Sequence, residues 1–392
     1  MNRKWIRLTA LMIIVCLTIS AGAAVAEKTV VMTFTGDCTL GSEEIKRGAI
    51  DSFDTVANEK GYDYFFANFR ELFEGDDQTV INFEGVLFDK RSGESKSKTY
   101  RFRGPTDFAR ILTGSSIEAA SLANNHTADY GAQGFESTKK ALAENGINWF
   151  YYLDYYTYVK DDIKIAFFAV DNRFMFNSID KLYKLMNQMK RDMAINAIVI
   201  CWHTGSEYRG NHDESTEKMC RRMIENGADL IVINHPHVLQ GIQTINNRYV
   251  FYSLGNFVFG GNNAIRTEKY RMTTVTSLYT MVAQVKMTFS NEGLYLGQQA
   301  TLYPAYTSSA APVNNYQPIR VSAADGQAVR AAIQADTAFQ LPELLETDGL
   351  SRMELDYLPG FDGILGPEDD AQSPLGIPEA ASPYPTRESK GN

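Results

Sequence analysis

From about residue 29 to 259, short runs of β-branched and other apolar residues alternate with stretches whose apolar positions recur at helical spacing. The runs at 29–34, 79–83, 117–122, 163–170, 197–201 and 229–233 predict strands. The stretches at 64–73, 134–144, 179–193 and 214–226 predict helices, with Asn145-Gly146 capping the second at its C-terminus. Such alternation predicts an α/β fold, a sheet covered by helices. After Gly241 the pattern changes: runs at 242–245 and 248–253 flank Asn246-Asn247, a hairpin signal, and further strand-like runs follow to Tyr303. The late sheet is therefore expected to be antiparallel. Two packed sheets with outer helices accommodate both halves.

The ends differ from this body. Residues 1–26 read as an export signal: Arg3, Lys4 and Arg7 form a basic head, 8–19 is nearly all apolar, and Ala24-Val25-Ala26 offers a small-x-small cleavage site. An uncleaved anchor is the alternative, since the run approaches the length of a membrane span. Either reading puts the body outside the cytoplasm, extracellular or on the cell envelope. The body is assigned to 27–345. Residues 346–392 are expected to form a largely disordered tail, because six of the twelve prolines and the acidic run Glu368-Asp369-Asp370 lie from Pro359 onward.

Composition narrows the class. Of 392 residues, 44% are hydrophobic and 22% charged, which suits a soluble globular protein and excludes a collagenous or multi-span membrane chain. Beyond the first 26 residues, 35 basic residues face 47 acidic ones, a formal −12 that argues against a nucleic-acid partner. Against that background Lys90, Arg91, Lys96, Lys98, Arg101 and Arg103 crowd into a polar loop, either a solvated face or a place to meet an anion. Cys38, Cys201 and Cys220 remain after the signal, an odd number; Cys220, on a predicted helix, reads as a small buried hydrophobe.

The five histidines all lie between 126 and 237, and four follow predicted strands directly. In α/β sheets, ligand sites form beyond the C-terminal ends of strands. The pieces at those ends are Thr35-Gly36-Asp37, Asn82-Phe83-Glu84-Gly85, Asn124-Asn125-His126, His203-Thr204-Gly205-Ser206-Glu207 and Asn234-His235-Pro236-His237. Carboxylates, amides and imidazoles are the ligand types of a divalent transition metal. Singly, each has a structural explanation as a turn, a cap or a hydrogen-bonded histidine. Together, in order on alternating strands, they predict one shared site. His235 and His237, two apart with Pro236 holding the segment extended, are expected to point the same way. No Gly-x-Ser-x-Gly elbow, Walker-type phosphate loop or dinucleotide glycine fingerprint competes.

The ordered series, with Asp129-Tyr130-Gly131 after His126 and Tyr252-Ser253-Leu254-Gly255-Asn256-Phe257 at the end, resembles the motifs of the bacterial capsule-synthesis protein CapA family. That family is associated with poly-γ-glutamate capsule assembly and is similar to calcineurin-like metallophosphoesterases. The resemblance implies a four-layer α/β/β/α sandwich of metallophosphoesterase type around divalent metal, with Mn²⁺, Fe²⁺ and Zn²⁺ equally compatible. It implies Asp37, Glu84, Asn125, His203, His235 and His237 as ligands, Glu84 bridging, and His126 as a catalytic proton donor. Asn124, Glu207, Tyr208 and Asn256 would support the site or bind substrate. Three departures stand out: no histidine follows Asp37 in an Asp-x-His pair, Thr204 replaces a frequent Trp, and Asn234 replaces a frequent His. Cys38 or Glu207 are the candidates to make up the missing ligand. The function implied is metal-dependent hydrolysis of phosphoester or amide bonds in surface-polymer biosynthesis, with an anionic polymer or its precursor and a membrane capsule synthase as partners. A non-catalytic polymer-binding or assembly factor is the alternative. The aromatic residues of 149–158 would give it contact area, unless they pack the sheet. A generic secreted metallophosphatase is the third reading.

Overall fold

The computed structural model describes residues 27–192, 194–261 and 276–360. The export signal with its cleavage site, and the Pro-rich tail from 361 onward, lie outside the described residues. Among the described residues no helix is long and apolar enough to cross a membrane.

Lys28–Thr39 is the axis of an eleven-stranded mixed sheet. It runs parallel to Gln78–Phe83 on one side and antiparallel to Tyr279–Phe289 on the other. Ala119–Ser121 and Asn148–Phe150 extend the parallel side, and Tyr295–Tyr306 the antiparallel side. A six-stranded sheet has Leu230–Asn234, Ala197–His203 and Ile163–Asp171 in parallel at its centre. The predicted hairpin forms its edge, with Ile242–Ile245 and Arg248–Phe251 joined by Asn246 and Asn247 at φ 45° and 55°. Both angles are left-handed, as a type I′ turn requires.

Alternation along the strands decides what each face buries. Val30, Met32 and Phe34 of the large sheet share one core with Ile165, Phe167, Val199 and Val232 of the smaller. The opposite face of the smaller sheet, Phe168, Ile200 and Trp202 among others, packs on Met186 of helix Asn172–Arg191 and Cys220 and Met223 of helix Glu214–Glu225. The opposite face of the large sheet, including Ile81, Phe83 and Leu122, packs on Phe53, Ile111 and Leu142 from helices Phe53–Lys60, Ala109–Thr113 and Gly131–Glu144. Strands covered on both faces read as unbroken apolar runs, which is why they stand out in the sequence.

Three expectations need correction. The stretch 64–73 is not one helix but 3₁₀ turns Tyr62–Tyr64 and Ala67–Phe69 followed by the short helix Arg70–Glu74. Phe66 and Phe69 leave helical angles so that Phe66, Phe69 and Phe73 can all close on Phe257. The late strands do pair antiparallel, in the hairpin and between Tyr279–Phe289 and Tyr295–Tyr306, but they join the early strands instead of a sheet of their own. Tyr279–Phe289 lies beside Lys28–Thr39, and Arg248–Phe251 runs parallel to Leu230–Asn234. The body also continues past 345, because Leu350–Glu354 and Leu358–Pro359 both pair with Tyr295–Tyr306. The aromatic stretch packs: Tyr151 stacks on Tyr152 at 3.8 Å and Tyr156 on Phe167 at 5.7 Å, and Tyr152 meets Phe174 tilted at 4.8 Å.

Candidate metal centre

Strand register brings the polar ends together. Asp37, Asn82, Ser121 and Asn256 form one row across the large sheet, and His203 and Asn234 are partners in the smaller. Gly36 permits this at the first strand: a Cβ there would lie 2.2 Å from the Gly255 carbonyl oxygen, which accepts the Asp37 amide at 2.9 Å. Glu84 follows the second strand, Asn124-Asn125-His126 the third, and His235 and His237 follow Asn234.

The groups at these ends make two triads joined at Glu84. Asp37, Glu84 and His237 offer one ligand atom each, as do Glu84, His203 and His235; in each set the atoms lie within 4.8 Å of one another. Glu207 makes a third group with His235 and His237. Asn82, whose role the motif alone did not reveal, donates to Asp37 Oδ1 at 2.8 Å and lies 3.2 Å from His203 Nδ1, tying the two triads. Asn125 Oδ1 lies 2.9 Å from His203 Nε2. Asn256 Oδ1 and Asp37 Oδ2 both face His237 Nδ1, at 2.9 and 3.3 Å. Asn124 shapes its turn, donating to the Phe83 carbonyl at 2.7 Å and accepting the His126 amide at 3.0 Å.

Glu84 decides what the centre is for. It is fully buried, and neither carboxylate oxygen has a hydrogen-bond partner. Burial, then the nearby Asp37, pushes its pKa well above the usual carboxylate range. A buried carboxylate without donors costs several kcal/mol unless a positive charge meets it. His235 Nδ1 is a second buried orphan. Burial and the neighbouring histidines hold His203 well below its ordinary value, and burial with His237 brings His235 down to about 4. Both imidazoles are therefore neutral at pH 7, with a lone pair to give. His237 goes the other way: burial would lower it, but Glu84 and Asp37 push it up to about 9. The donor set, the orphaned oxygens and the neutral imidazoles fit a divalent cation.

His126 stands beside the triads. Its Nδ1 lies 2.7 Å from Asp129 Oδ2, and its Nε2 points toward Glu84 Oε1 at 3.7 Å. Asp129 is fully buried and also accepts the Phe102 amide at 2.8 Å and Lys98 Nζ at 2.6 Å. Phe102 packs on the His126 ring at 4.5 Å, and Phe259 on His237 at 5.1 Å. Asp129 lay inside a recognised motif and Lys98 inside the basic loop, but their pairing across 31 residues gave no signal.

Several expectations change here. The His-Pro-His segment is not extended: His235 and His237 have φ of 111° and 59°, so both rings reach the site through left-handed backbone. Such angles in non-glycine residues cost about 1–3 kcal/mol each and concentrate at functional sites. Cys38 does not stand in for a missing ligand. Its thiol turns into the core toward Thr35 Oγ1 and the Gly36 carbonyl, and burial pushes it up to about 12. All three described cysteines are buried and free. The basic loop is largely neutralised from within: Arg91 and Arg103 pair with Glu44, Arg101 with Glu94 and Lys98 with Asp129. The fifth histidine, His212, is held elsewhere, stacked on Tyr252 at 3.7 Å with Nδ1 2.8 Å from Asp336.

The family model described as bacterial capsule synthesis protein PGA_cap matches residues 31–261, which hold every residue of the two triads. "Capsule biosynthesis protein CapA" of Bacillus anthracis is 28% identical over 252 residues, covering 58% of this chain and 59% of that protein. "PGA biosynthesis protein CapA" of Bacillus subtilis (strain 168) is 26% identical over 251 residues, covering 58% and 62%. The chain thus matches about three fifths of the length of these relatives. A hypothetical protein of known structure from Thermus thermophilus aligns with a TM-score of 0.42 and 12% identity over 70% of this chain and 99% of that one. With well over half of its length matched by the family model, this chain belongs to the bacterial capsule synthesis protein PGA_cap family, the CapA family.

Proposed function

We propose that this chain is an exported, divalent-metal-dependent hydrolase of phosphoester or amide bonds in capsule or surface-polymer biosynthesis, built as a four-layer α/β/β/α sandwich of metallophosphoesterase type. The observation that carries the proposal is Glu84: a fully buried carboxylate with two unpartnered oxygens, shared by two triads of metal-ligand type. Asp37, Glu84 and His237 would hold one cation; Glu84, His203 and His235, with Asn125 beside His203, a second. Cations bound there supply Lewis-acid polarisation and a water of lowered pKa.

The chain's own residues do the rest. Asn82 fixes Asp37 and His203 in one geometry, and Asn256 orients His237. Asp129 engages His126 Nδ1, which leaves Nε2 facing the cluster to carry a proton to the leaving oxygen or nitrogen. The rings of Phe102 and Phe259 close over His126 and His237 and keep water off them. The names of the two Bacillus relatives support the place in capsule biosynthesis; an anionic surface polymer or precursor and a membrane synthase are the partners that place would bring. Residues 1–26 support export.

Elemental analysis of the purified chain after loading with Mn²⁺, Fe²⁺ or Zn²⁺, followed by a panel of phosphoesters and γ-glutamyl amides, tests the reading. Metal bound near stoichiometry and turnover on one bond class are expected. Less than about 0.2 metal per chain would sink it. Metal without turnover on either class would favour the binding or assembly role.

A further inference from the structure

Glu207 is the one carboxylate of the cluster that the two triads do not use. It lies with His235, from one triad, and His237, from the other, so it spans both. Its surroundings differ from those of Glu84, because its side chain is exposed while Glu84 is sealed. The Glu207 carboxylate makes no hydrogen bond or salt bridge among the described residues.

The loop that carries it is nonetheless firmly built. Gly205 has φ 106°, and a Cβ there would come within 3.2 Å of Pro236. Tyr208 has φ 59°, its amide donates to the Pro236 carbonyl at 2.8 Å, and its ring packs on His237 at 5.6 Å. Gln240 donates to the carbonyls of Arg209 and Asn211 at 2.9 and 3.1 Å, and Asp336 accepts the His212 amide at 3.1 Å. Left-handed backbone on a non-glycine residue persists only where the surroundings over-determine it. Here left-handed residues on either side hold an unpaired carboxylate beside two imidazoles.

We propose that Glu207 is a metal ligand, closing the centre from the solvent side as Glu84 does from the buried side, and that it makes the two cation positions chemically unequal. The proposal rests on the metal-centre reading above. The position at Asp37, Glu84 and His237 has two carboxylates and one imidazole, and Glu207, assigned to it through His237, would give it a third carboxylate. The position at Glu84, His203 and His235 has two imidazoles. Carboxylate oxygen suits Mn²⁺, and imidazole suits Zn²⁺. The buried orphans Glu84 and His235 Nδ1 point independently to a cation between these groups.

Calorimetric titration of the metal-free full chain with Mn²⁺ and, separately, Zn²⁺ tests the proposal, with the Mn²⁺ electron paramagnetic signal as a second readout. Glu207→Gln keeps the shape and removes the charge. It is expected to weaken one class of Mn²⁺ site by about 10–100-fold, the range for loss of a group that holds or orients a metal, and to leave the melting temperature of the metal-free chain unchanged. Glu207→His should restore binding of Zn²⁺ but not of Mn²⁺. Mn²⁺ affinity within twofold of the parent in Glu207→Gln would overturn the proposal while leaving the metal centre standing. A parent chain that takes up neither ion would overturn the metal centre and this inference with it.

Discussion

Strand Gln78–Phe83 has carboxylates near both ends, and the two ends are built on opposite terms. Where it begins, Asp77 accepts the Val31 amide at 2.9 Å and meets Lys160 at 2.7 Å. There too Glu118 accepts the Thr79 amide at 2.7 Å and Asp76 the Thr79 hydroxyl at 2.7 Å. Where it ends, Glu84 is more deeply buried than any of these and accepts no hydrogen bond. The histidines divide in the same way: His212 is stacked and paired, while His235 keeps a buried nitrogen unused. Density of acidic or imidazole groups therefore does not mark the site. Single orphaned atoms occur elsewhere too, at Asp54 and Trp202 among others. Among the described residues, however, only Glu84 is a fully buried carboxylate with both oxygens unsatisfied, and the fold would lose stability by it unless something else completed it.

The strongest way to break that comparison is to remove Glu84. Because both triads use it, Glu84→Gln should empty both positions, with metal content falling below about 0.2 per chain by elemental analysis. Glu118→Gln, at the satisfied end, should leave metal content at the parent level. Equal metal in the two variants would mean that the orphaned oxygens are no marker.

A second, smaller effect separates residues within the site. His235→Ala and His237→Ala each remove a ligand atom and should lower metal content. His126→Ala should keep the metal and reduce turnover by about 10²–10⁴-fold, the usual worth of a general acid. If His126→Ala empties the site as thoroughly as His237→Ala, His126 is a ligand and its role as proton donor is wrong.

The same contrast explains what could be read from the chain. The parallel strands were legible because burial on both faces writes an apolar run, and the polar residues ending those runs were legible as a series. The backbone at His235 and His237 was not legible, since the side-chain pattern of an extended segment and of two left-handed residues is the same. The Tyr62–Glu74 region kept its helical spacing of aromatics while its backbone yielded to Phe257. Asn82 sat in a quoted motif, yet an amide shows its task only when Asp37 and His203 are both in place. Lys98 and Asp129 meet through a loop closure that no local pattern encodes.

Third comes a satisfied carboxylate away from the centre. Asp229 is buried, accepting Lys190 Nζ at 2.5 Å, the Ile198 amide at 2.9 Å and Arg248 Nε at 3.2 Å. Asp229→Ala strands these donors and should cost about 3 kcal/mol in urea unfolding, with the metal content of the folded fraction unchanged. A loss of metal equal to that in Glu84→Gln would show that the two kinds of carboxylate cannot be told apart by their partners.

The smallest effect sharpens the comparison at the satisfied end, where satisfaction is incomplete. Burial, with Glu118 and Asp77 adding repulsion, pushes the Asp76 carboxyl up to about 7, although hydroxyls of Thr33 and Thr79 work against the rise. Burial also raises Glu118, while Lys160 neutralises Asp77. The unfolded chain keeps Asp76 near its ordinary 3.8, so between that value and about 7 the folded state binds the proton more tightly. Stability contributed by this group is therefore fully present below pH 4 and is lost as the pH rises toward 7. Asp76→Asn has no such titration. Relative to the parent it should gain about 1 kcal/mol between pH 4 and pH 8, a figure reduced from the full linkage because the group is partly exposed. Urea midpoints of both proteins, measured in chelator across that range, provide the check. Parallel curves would mean that Asp76 is as well satisfied as Asp77, and that the start of this strand holds no strain at all.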